Sequence, residues 1–137
     1  TIQYGQLSPL FPEEAAPQVI QAPHTTQIIG VAGIGQPDLF FQELSRRFPQ
    51  VETHTYADHH DFSLREIAQM ETWLHSSSNF IVMTEKDAMR LEGKECNLSP
   101  LLRQRIYYLP IRPLFLGHSE ERLQTLLRTT LQKYYPR

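Results

Sequence analysis

Short apolar runs alternate with helical patterns from Gln27 onward, and this alternation limits the fold more than any other feature of the sequence. Residues 27–32 and 80–83 are apolar and rich in β-branched side chains, as in strands that are buried on both faces. Residues 51–56 alternate in polarity, and residues 106–109 form a fourth apolar run. Strands that alternate with helices imply right-handed crossovers and a mostly parallel sheet, so we predict an α/β fold. We expect a three-layer, mostly parallel, Rossmann-like sheet of about four to five strands with helices on both faces.

Capping signals place the helices between these strands. Pro37 suits the first helical position, N1, of the helix that follows the first strand. Ser63 and Glu66 have the spacing of a capping box, and Thr84 is a candidate N-cap for a helix that reaches about residue 91. The apolar face of the middle helix is predicted from residues at helical spacing. These residues are Leu64, Ile67, Met70 and Leu74.

The first 26 residues differ from the rest because prolines interrupt any regular element there. We interpret residues 1–26 as an extended interdomain linker and residues 27–137 as a C-terminal α/β domain, which ends in a helix capped by Ser119. The chain starts at Thr1 in strand-like residues, so we expect it to be a piece of a longer protein.

Composition excludes several classes of function. The net charge is −2 with both signs scattered, whereas a nucleic-acid-binding protein needs a basic face. The single cysteine, Cys96, rules out an internal disulfide. No apolar run approaches the roughly 20 residues of a membrane-spanning helix. The only Gly-Lys pair, Gly93-Lys94, precedes glutamate instead of Ser or Thr, so this chain contains no Walker A loop.

Three polar or glycine-rich segments follow the first three strands, and the carboxyl ends of parallel strands meet at one edge of a sheet, where ligands bind. We therefore expect these segments to converge. They contain Gly33 and Gly35, then Asp58, His59 and His60, then Thr84, Glu85, Lys86 and Asp87.

Each segment allows more than one interpretation. Gly33 and Gly35 are placed like a phosphate-binding turn, but the third glycine of a dinucleotide fingerprint is replaced by Asp38, and a simple tight turn fits as well. Asp58-His59-His60 could provide an imidazole oriented by a carboxylate, contribute to a metal site, or form an exposed capped loop. Residues 84–87 could be a helix cap with solvated charges.

The ordered set of motifs resembles the C-terminal part of the tetraacyldisaccharide 4′-kinase family, the lipid A 4′-kinases of Gram-negative bacteria. The similarity covers about residues 27–116. One departure is Arg90, which stands where the family usually has lysine. The motifs are Val31-Ala32-Gly33-Ile34-Gly35-Gln36-Pro37, Phe40-Phe41, Asp58-His59, Met83-Thr84-Glu85-Lys86-Asp87-Ala88 and Tyr108-Leu109-Pro110-Ile111.

This resemblance implies an ATP- and Mg²⁺-dependent phosphotransferase of lipopolysaccharide synthesis. It would phosphorylate the 4′-hydroxyl of tetraacyldisaccharide 1-phosphate at the cytoplasmic side of the inner membrane, as a peripheral protein. The partner of this domain would be an N-terminal P-loop domain that binds ATP and Mg²⁺, so the piece alone is expected to bind neither and to be inactive. His59 and Asp58 match the catalytic pair. His60, the glycines and residues 84–87 are expected near substrate or phosphate, without assigned roles.

Three alternatives stay open at this stage. Asp-His-His occurs in a family of metal-dependent phosphoesterases, although that family needs further aspartates on neighbouring strands. A nucleotide-binding Rossmann-like module would use Asp58 as its ribose-binding acid. A docking domain would use the same loops to bind a partner chain.

Overall fold

The computed structural model describes residues 2–15, 26–76 and 78–113. Seven strands, four α-helices and one 3₁₀ turn lie in these ranges. The strands are β1 (Ile2–Tyr4), β2 (Ser8–Pro9), β3 (Gln27–Ala32), β4 (Gln50–Thr55), β5 (Asn79–Thr84), β6 (Ile106–Leu109) and β7 (Ile111–Pro113). The helices are α1 (Asp38–Arg47), α2 (Leu64–Thr72), α3 (Glu85–Arg90) and α4 (Pro100–Gln104), and the 3₁₀ turn spans Glu95–Asn97.

The main sheet has five strands in the order β2-β6-β5-β3-β4. Its last four strands are parallel, and the two-residue β2 pairs antiparallel with β6 at one edge. This sheet belongs to a compact unit that takes in the described residues between 4 and 110, while residues 2–3 and 111–113 belong to a second unit. β1 pairs with β7 in a separate two-stranded sheet. The predicted α/β class and the mostly parallel sheet are confirmed.

Alternate residues of the strands fill two cores, one on each face of the sheet. Phe40 and Leu44 of α1 pack with Ile28 and Ala32 of β3 in one core. The other core contains Ile29 and Val31 with buried residues from α2, α3 and α4. Helices therefore cover both faces, which explains why β3 and β5 are apolar at almost every position.

Several local predictions need correction. Pro37 is the N-cap of α1 and not its N1 residue, because its carbonyl oxygen accepts the first helical hydrogen bond while the helix begins at Asp38. β4 spans Gln50–Thr55 and therefore begins and ends one residue earlier than predicted, although the Tyr56 N–H still donates to the Ala32 carbonyl oxygen as the last bond of the ladder. Leu64 is 62% exposed and does not belong to the apolar face of α2, since it is the first residue of that helix.

Other predictions agree with the structure or lie outside it. The capping box of Ser63 and Glu66 and the Thr84 cap are confirmed. The predicted helix after Ser119 lies outside the described residues. The linker assignment of residues 1–26 stays a prediction, although Ser8–Pro9 joins the main sheet as β2.

The strand order creates a crevice that positions the candidate site. The chain runs from β3 outward to β4 and then returns to β5 on the other side of β3. Connections that leave neighbouring strands in opposite directions open a crevice at their carboxyl ends, where α/β proteins bind ligands. Here that crevice lies between the residues that follow Ala32 and those that follow Thr84.

Candidate functional site

Gly33 joins the three loops at the crevice. Its N–H donates to Asp87 Oδ2 at 2.9 Å, and its carbonyl oxygen accepts from the backbone N–H of His59 at 3.2 Å. A Cβ at position 33 would lie 3.0 Å from Asp87 Oδ1 and 3.2 Å from the carbonyl oxygen of Ala57, so the glycine allows this close approach. The predicted convergence of the three loops is therefore present in the structure.

Asp87 is completely buried and belongs to the framework of the site. Thr84 Oγ1 donates to Asp87 Oδ2 at 2.6 Å and accepts from the Asp87 backbone N–H at 3.1 Å. Arg90 Nη1 donates to Asp87 Oδ1 at 3.0 Å. These bonds and the one from Gly33 satisfy a carboxylate that would otherwise be costly to bury.

His59 lies at the exposed tip of the loop after β4. Its side chain is 81% exposed, and its φ of 60° is the only positive value for a non-glycine residue in the described ranges. Arg90 Nη2 lies 3.3 Å from His59 Nδ1. Asp58 Oδ2 lies 3.7 Å from His59 Nε2, within ion-pair range but beyond a hydrogen bond. An imidazole and a carboxylate are thus available together at the crevice.

His60 has a different environment from its neighbour. Its Nε2 lies 2.8 and 2.9 Å from the two carboxylate oxygens of Glu66, and its ring stacks on Tyr56 at 4.8 Å. A hydrogen bond from the Ser63 backbone N–H, together with that from His60, holds the pKa of Glu66 below its ordinary value. Burial and the charge of Glu66 raise the pKa of Tyr56. His60 is therefore bound into the start of α2.

The glycine loop is electrically unsuited to a phosphate. The Gly33 N–H already donates to Asp87, and Asp58 Oδ2 would lie 3.2 Å from a Cβ at Gly35. A carboxylate against each glycine repels a phosphate group instead of neutralising it. The geometry favours the tight-turn interpretation over a phosphate-binding turn, and it gives no support to the dinucleotide-binding alternative.

The other charged residues of the third loop are arranged around the start of α3. Thr84 is the N-cap, and Glu85 and Lys86 are the first two residues of the helix. Lys86 is exposed, and among the described residues its ammonium group has no hydrogen-bonding or ion-pair partner. Lys86 therefore has a side chain available to a ligand, whereas Thr84 and Asp87 are buried and bonded to each other.

A cavity of about 440 Å³ lies on another side of α3. It is lined by residues 9–12, by Tyr108 and by apolar and acidic side chains of α3 and the following turn. Glu85, Glu92 and Glu95 contribute to its wall, and none of the described residues lining it is basic. This cavity is thus acidic and is lined by none of Gly33, Asp58 and His59, so we place the candidate site at the crevice.

Within the described ranges, no three His, Cys, Asp or Glu side chains are grouped so that they could hold a metal ion. The same ranges contain no helix with the length and hydropathy needed to span a membrane.

Comparison with known proteins assigns the family. The profile of tetraacyldisaccharide-1-P 4′-kinase matches residues 4–132. The chain belongs to the tetraacyldisaccharide-1-P 4′-kinase family. The tetraacyldisaccharide 4′-kinase of Porphyromonas gingivalis strain W83 is 38% identical over 124 residues, which are 86% of this chain and 33% of that protein. That of Phocaeicola vulgatus is 32% identical over 124 residues, covering 88% of this chain and 34% of the relative.

This chain therefore spans about a third of the length of the curated kinases that it matches. A third member, from Xanthobacter autotrophicus, is 39% identical over 85 residues, or 61% of this chain. No solved structure gives a significant match. The resemblance inferred from the motifs is confirmed at the level of the kinase family.

Sequence reasoning missed parts of the site and its surroundings. Arg90 was noted only as a replacement for lysine, although it links Asp87 to His59. Its position three residues after Asp87 on one helix was the available signal. Helix α4 was also missed, although Ser99 followed by Pro100 is an N-cap followed by a proline at N1.

Proposed function

We propose that this chain is the C-terminal part of an ATP-dependent kinase that phosphorylates the 4′-hydroxyl of tetraacyldisaccharide 1-phosphate in lipid A synthesis. The observation that carries the proposal is the convergence of three family motifs at one crevice, with His59 exposed at its tip and Asp58 beside it. Family membership supports this reaction class, and the crevice supports a site at which the substrate hydroxyl would be oriented.

His59 and Asp58 are the residues that we assign to the chemistry. Phosphoryl transfer depends mainly on positioning and charge neutralisation, and it needs a group that orients the attacking hydroxyl or receives its proton. An exposed imidazole with a carboxylate 3.7 Å away can take part in that proton transfer, directly or through a carboxylate of another domain. Lys86 is a candidate to contact an anionic group of the substrate.

The nucleotide and its metal are proposed to bind outside this chain. The described residues contain no suitable group of metal ligands, and the sequence contains no Walker A loop. A P-loop domain preceding this chain would supply both, with residues 1–26 as the connection. The same protein would work at the cytoplasmic face of the inner membrane, where its acylated substrate would lie.

The test is phosphate transfer from labelled ATP to tetraacyldisaccharide 1-phosphate. We expect transfer by the full-length protein that contains this chain, and none by residues 1–137 alone. Mixing this chain with the separately expressed remainder of the protein should restore transfer if the two associate. A full-length protein without transfer would overturn the kinase proposal. Transfer by residues 1–137 alone would overturn the assignment of the nucleotide site to another domain.

A further inference from the structure

We propose that Arg90 is a positioning residue for His59, which fixes the imidazole with Nδ1 as a hydrogen-bond acceptor and the proton on Nε2. The inference deepens the proposed function and rests on it, because the ring orientation matters to turnover only if His59 acts in phosphate transfer. It assigns a role to Arg90 beyond its bond to Asp87.

The two terminal nitrogens of the Arg90 guanidinium have different partners: one binds Gly33 and Asp87, and the other contacts the ring of His59. Nη1 donates to the Gly33 carbonyl oxygen at 2.7 Å and to Asp87 Oδ1 at 3.0 Å. Nη2 lies 3.3 Å from His59 Nδ1. Because the first two bonds hold the planar group in place, the second nitrogen has a fixed position against the ring.

The support beneath Arg90 is rigid. Asp87 is completely buried and is bonded to Gly33 and Thr84 as well, and the Arg90 side chain is only 20% exposed. His59 donates its backbone N–H to the same Gly33 carbonyl oxygen that Arg90 binds. The Gly33 carbonyl oxygen thus binds both the backbone of His59 and the guanidinium that contacts its ring, which fixes their relative positions.

The chemistry of this contact selects one tautomer. Arginine remains protonated in proteins and has only donors, so a contact with Nδ1 requires that nitrogen to carry a lone pair. The neutral ring then bears its proton on Nε2, the nitrogen on the side of Asp58. In this arrangement His59 offers an Nε2–H donor toward carboxylates, so it acts in proton transfer through a carboxylate that receives the hydroxyl proton, which is the second of the two routes proposed above.

A lysine at position 90 could not make the same set of contacts. Its single ammonium in the Nη1 position would satisfy Gly33 and Asp87, but it has no second nitrogen to reach the ring. Arg90→Lys therefore removes the contact with His59 while keeping the charge beside buried Asp87. Arg90→Met removes the contact with His59 and also the charge beside Asp87, so it should lower stability as well.

The test measures kcat and KM for 4′ phosphate transfer by the full-length protein. Each Arg90 variant is made twice, once in the protein that keeps His59 and once in the protein that carries His59→Asn. Asparagine tolerates positive φ, so His59→Asn removes the ring with little backbone strain. We expect Arg90→Lys to lower kcat about two- to tenfold, the value of one hydrogen bond, with little change in KM. With His59→Asn present, Arg90→Lys should cause no further loss.

Exposed Arg65 on α2 provides the matched control, since Arg65→Lys and Arg65→Met make the same chemical changes away from the crevice. Both should leave kcat unchanged. A normal kcat for Arg90→Lys, or the same loss with and without His59, would overturn the positioning role. Wild-type turnover of His59→Asn would instead overturn the role of His59 in the proposed function, and the inference with it.

Nitrogen NMR of the imidazole rings gives a readout that a merely structural role would not change. With Arg90 present, His59 Nδ1 should show the resonance of an unprotonated, hydrogen-bonded nitrogen. Arg90→Lys should change the chemical shift of that nitrogen. The nitrogen shifts of the His60 ring, which is bound to Glu66, should stay the same. An unchanged His59 resonance would also contradict the inference.

Discussion

Two histidines that are adjacent in the sequence differ in almost every physical respect. The His59 side chain is 81% exposed, on a backbone with positive φ, whereas that of His60 is 25% exposed. His60 stacks on Tyr56 and binds both carboxylate oxygens of Glu66. Both lie in one turn, in which the His60 N–H donates to the Ala57 carbonyl oxygen and His59 has the positive φ, so one ring is left at the crevice and the other packs at the start of α2.

The comparison shows that partners decide which histidine is available for chemistry. His60 has its Nε2 committed to an ion-pair-like contact with Glu66 in the capping network, which leaves it a structural part of the turn. His59 has its ring held from one side by Arg90 and open to solvent elsewhere. A residue type that is free to exchange a proton near neutral pH is useful only where a substrate can reach it.

Replacing each histidine by asparagine should separate the two roles most clearly. We expect His59→Asn to lower kcat of the full-length protein by about 10²–10⁴-fold, the range for loss of a group that moves a proton. His60→Asn should leave kcat nearly unchanged and act mainly on stability. Steady-state phosphate transfer with protein of verified fold checks this. Equal losses in the two variants would remove the distinction.

Removing the carboxylate beneath Arg90 should be the largest effect on stability. Asp87→Ala leaves the buried Gly33 N–H without a partner and breaks the pair with Arg90, so we expect the free energy of unfolding to fall by about 3–5 kcal/mol. Urea unfolding measures the change. Exposed Lys86→Ala, one residue away, should stay within about 0.5 kcal/mol. A small loss for Asp87→Ala would show that the His59 side of the crevice is not held by this network.

The strand and helix pattern was readable from the sequence because β3, β5 and α2 carry strong local signals. The convergence of the three loops also followed, since parallel strands must bring them to one edge. The partners of Asp87 and Arg90 could not be predicted from the sequence. Their bonds to Gly33 join residues more than 50 positions apart in the sequence and depend on the strand order. Similarly, nothing local distinguished His59 from His60, since the difference arises from the left-handed turn at residue 59.

A smaller effect is expected from the cap that anchors the His60 side. Ser63 Oγ accepts from the Glu66 backbone N–H at 3.1 Å, so Ser63→Ala should lower the free energy of unfolding by about 1 kcal/mol. Ser63→Thr keeps the oxygen and should retain most of the stability. Thermal or urea unfolding distinguishes the two variants, and identical values for them would mean that the cap bond contributes nothing measurable.

The smallest effect concerns how stability depends on pH. Because bonds from the Ser63 N–H and from His60 lower the pKa of Glu66 in the folded chain, its carboxylate stabilises the fold fully above the ordinary value of 4.5 and loses that contribution as pH falls through the folded value. Glu66→Gln should therefore reduce stability at neutral pH and flatten the decline below about pH 4.5. Unfolding measured across pH 3–7 checks this, with Glu71→Gln in the last turn of the same helix as the control. If Glu66→Gln reproduced the wild-type decline, the acid sensitivity would arise elsewhere, and the binding of His60 by Glu66 would no longer explain why that histidine is fixed.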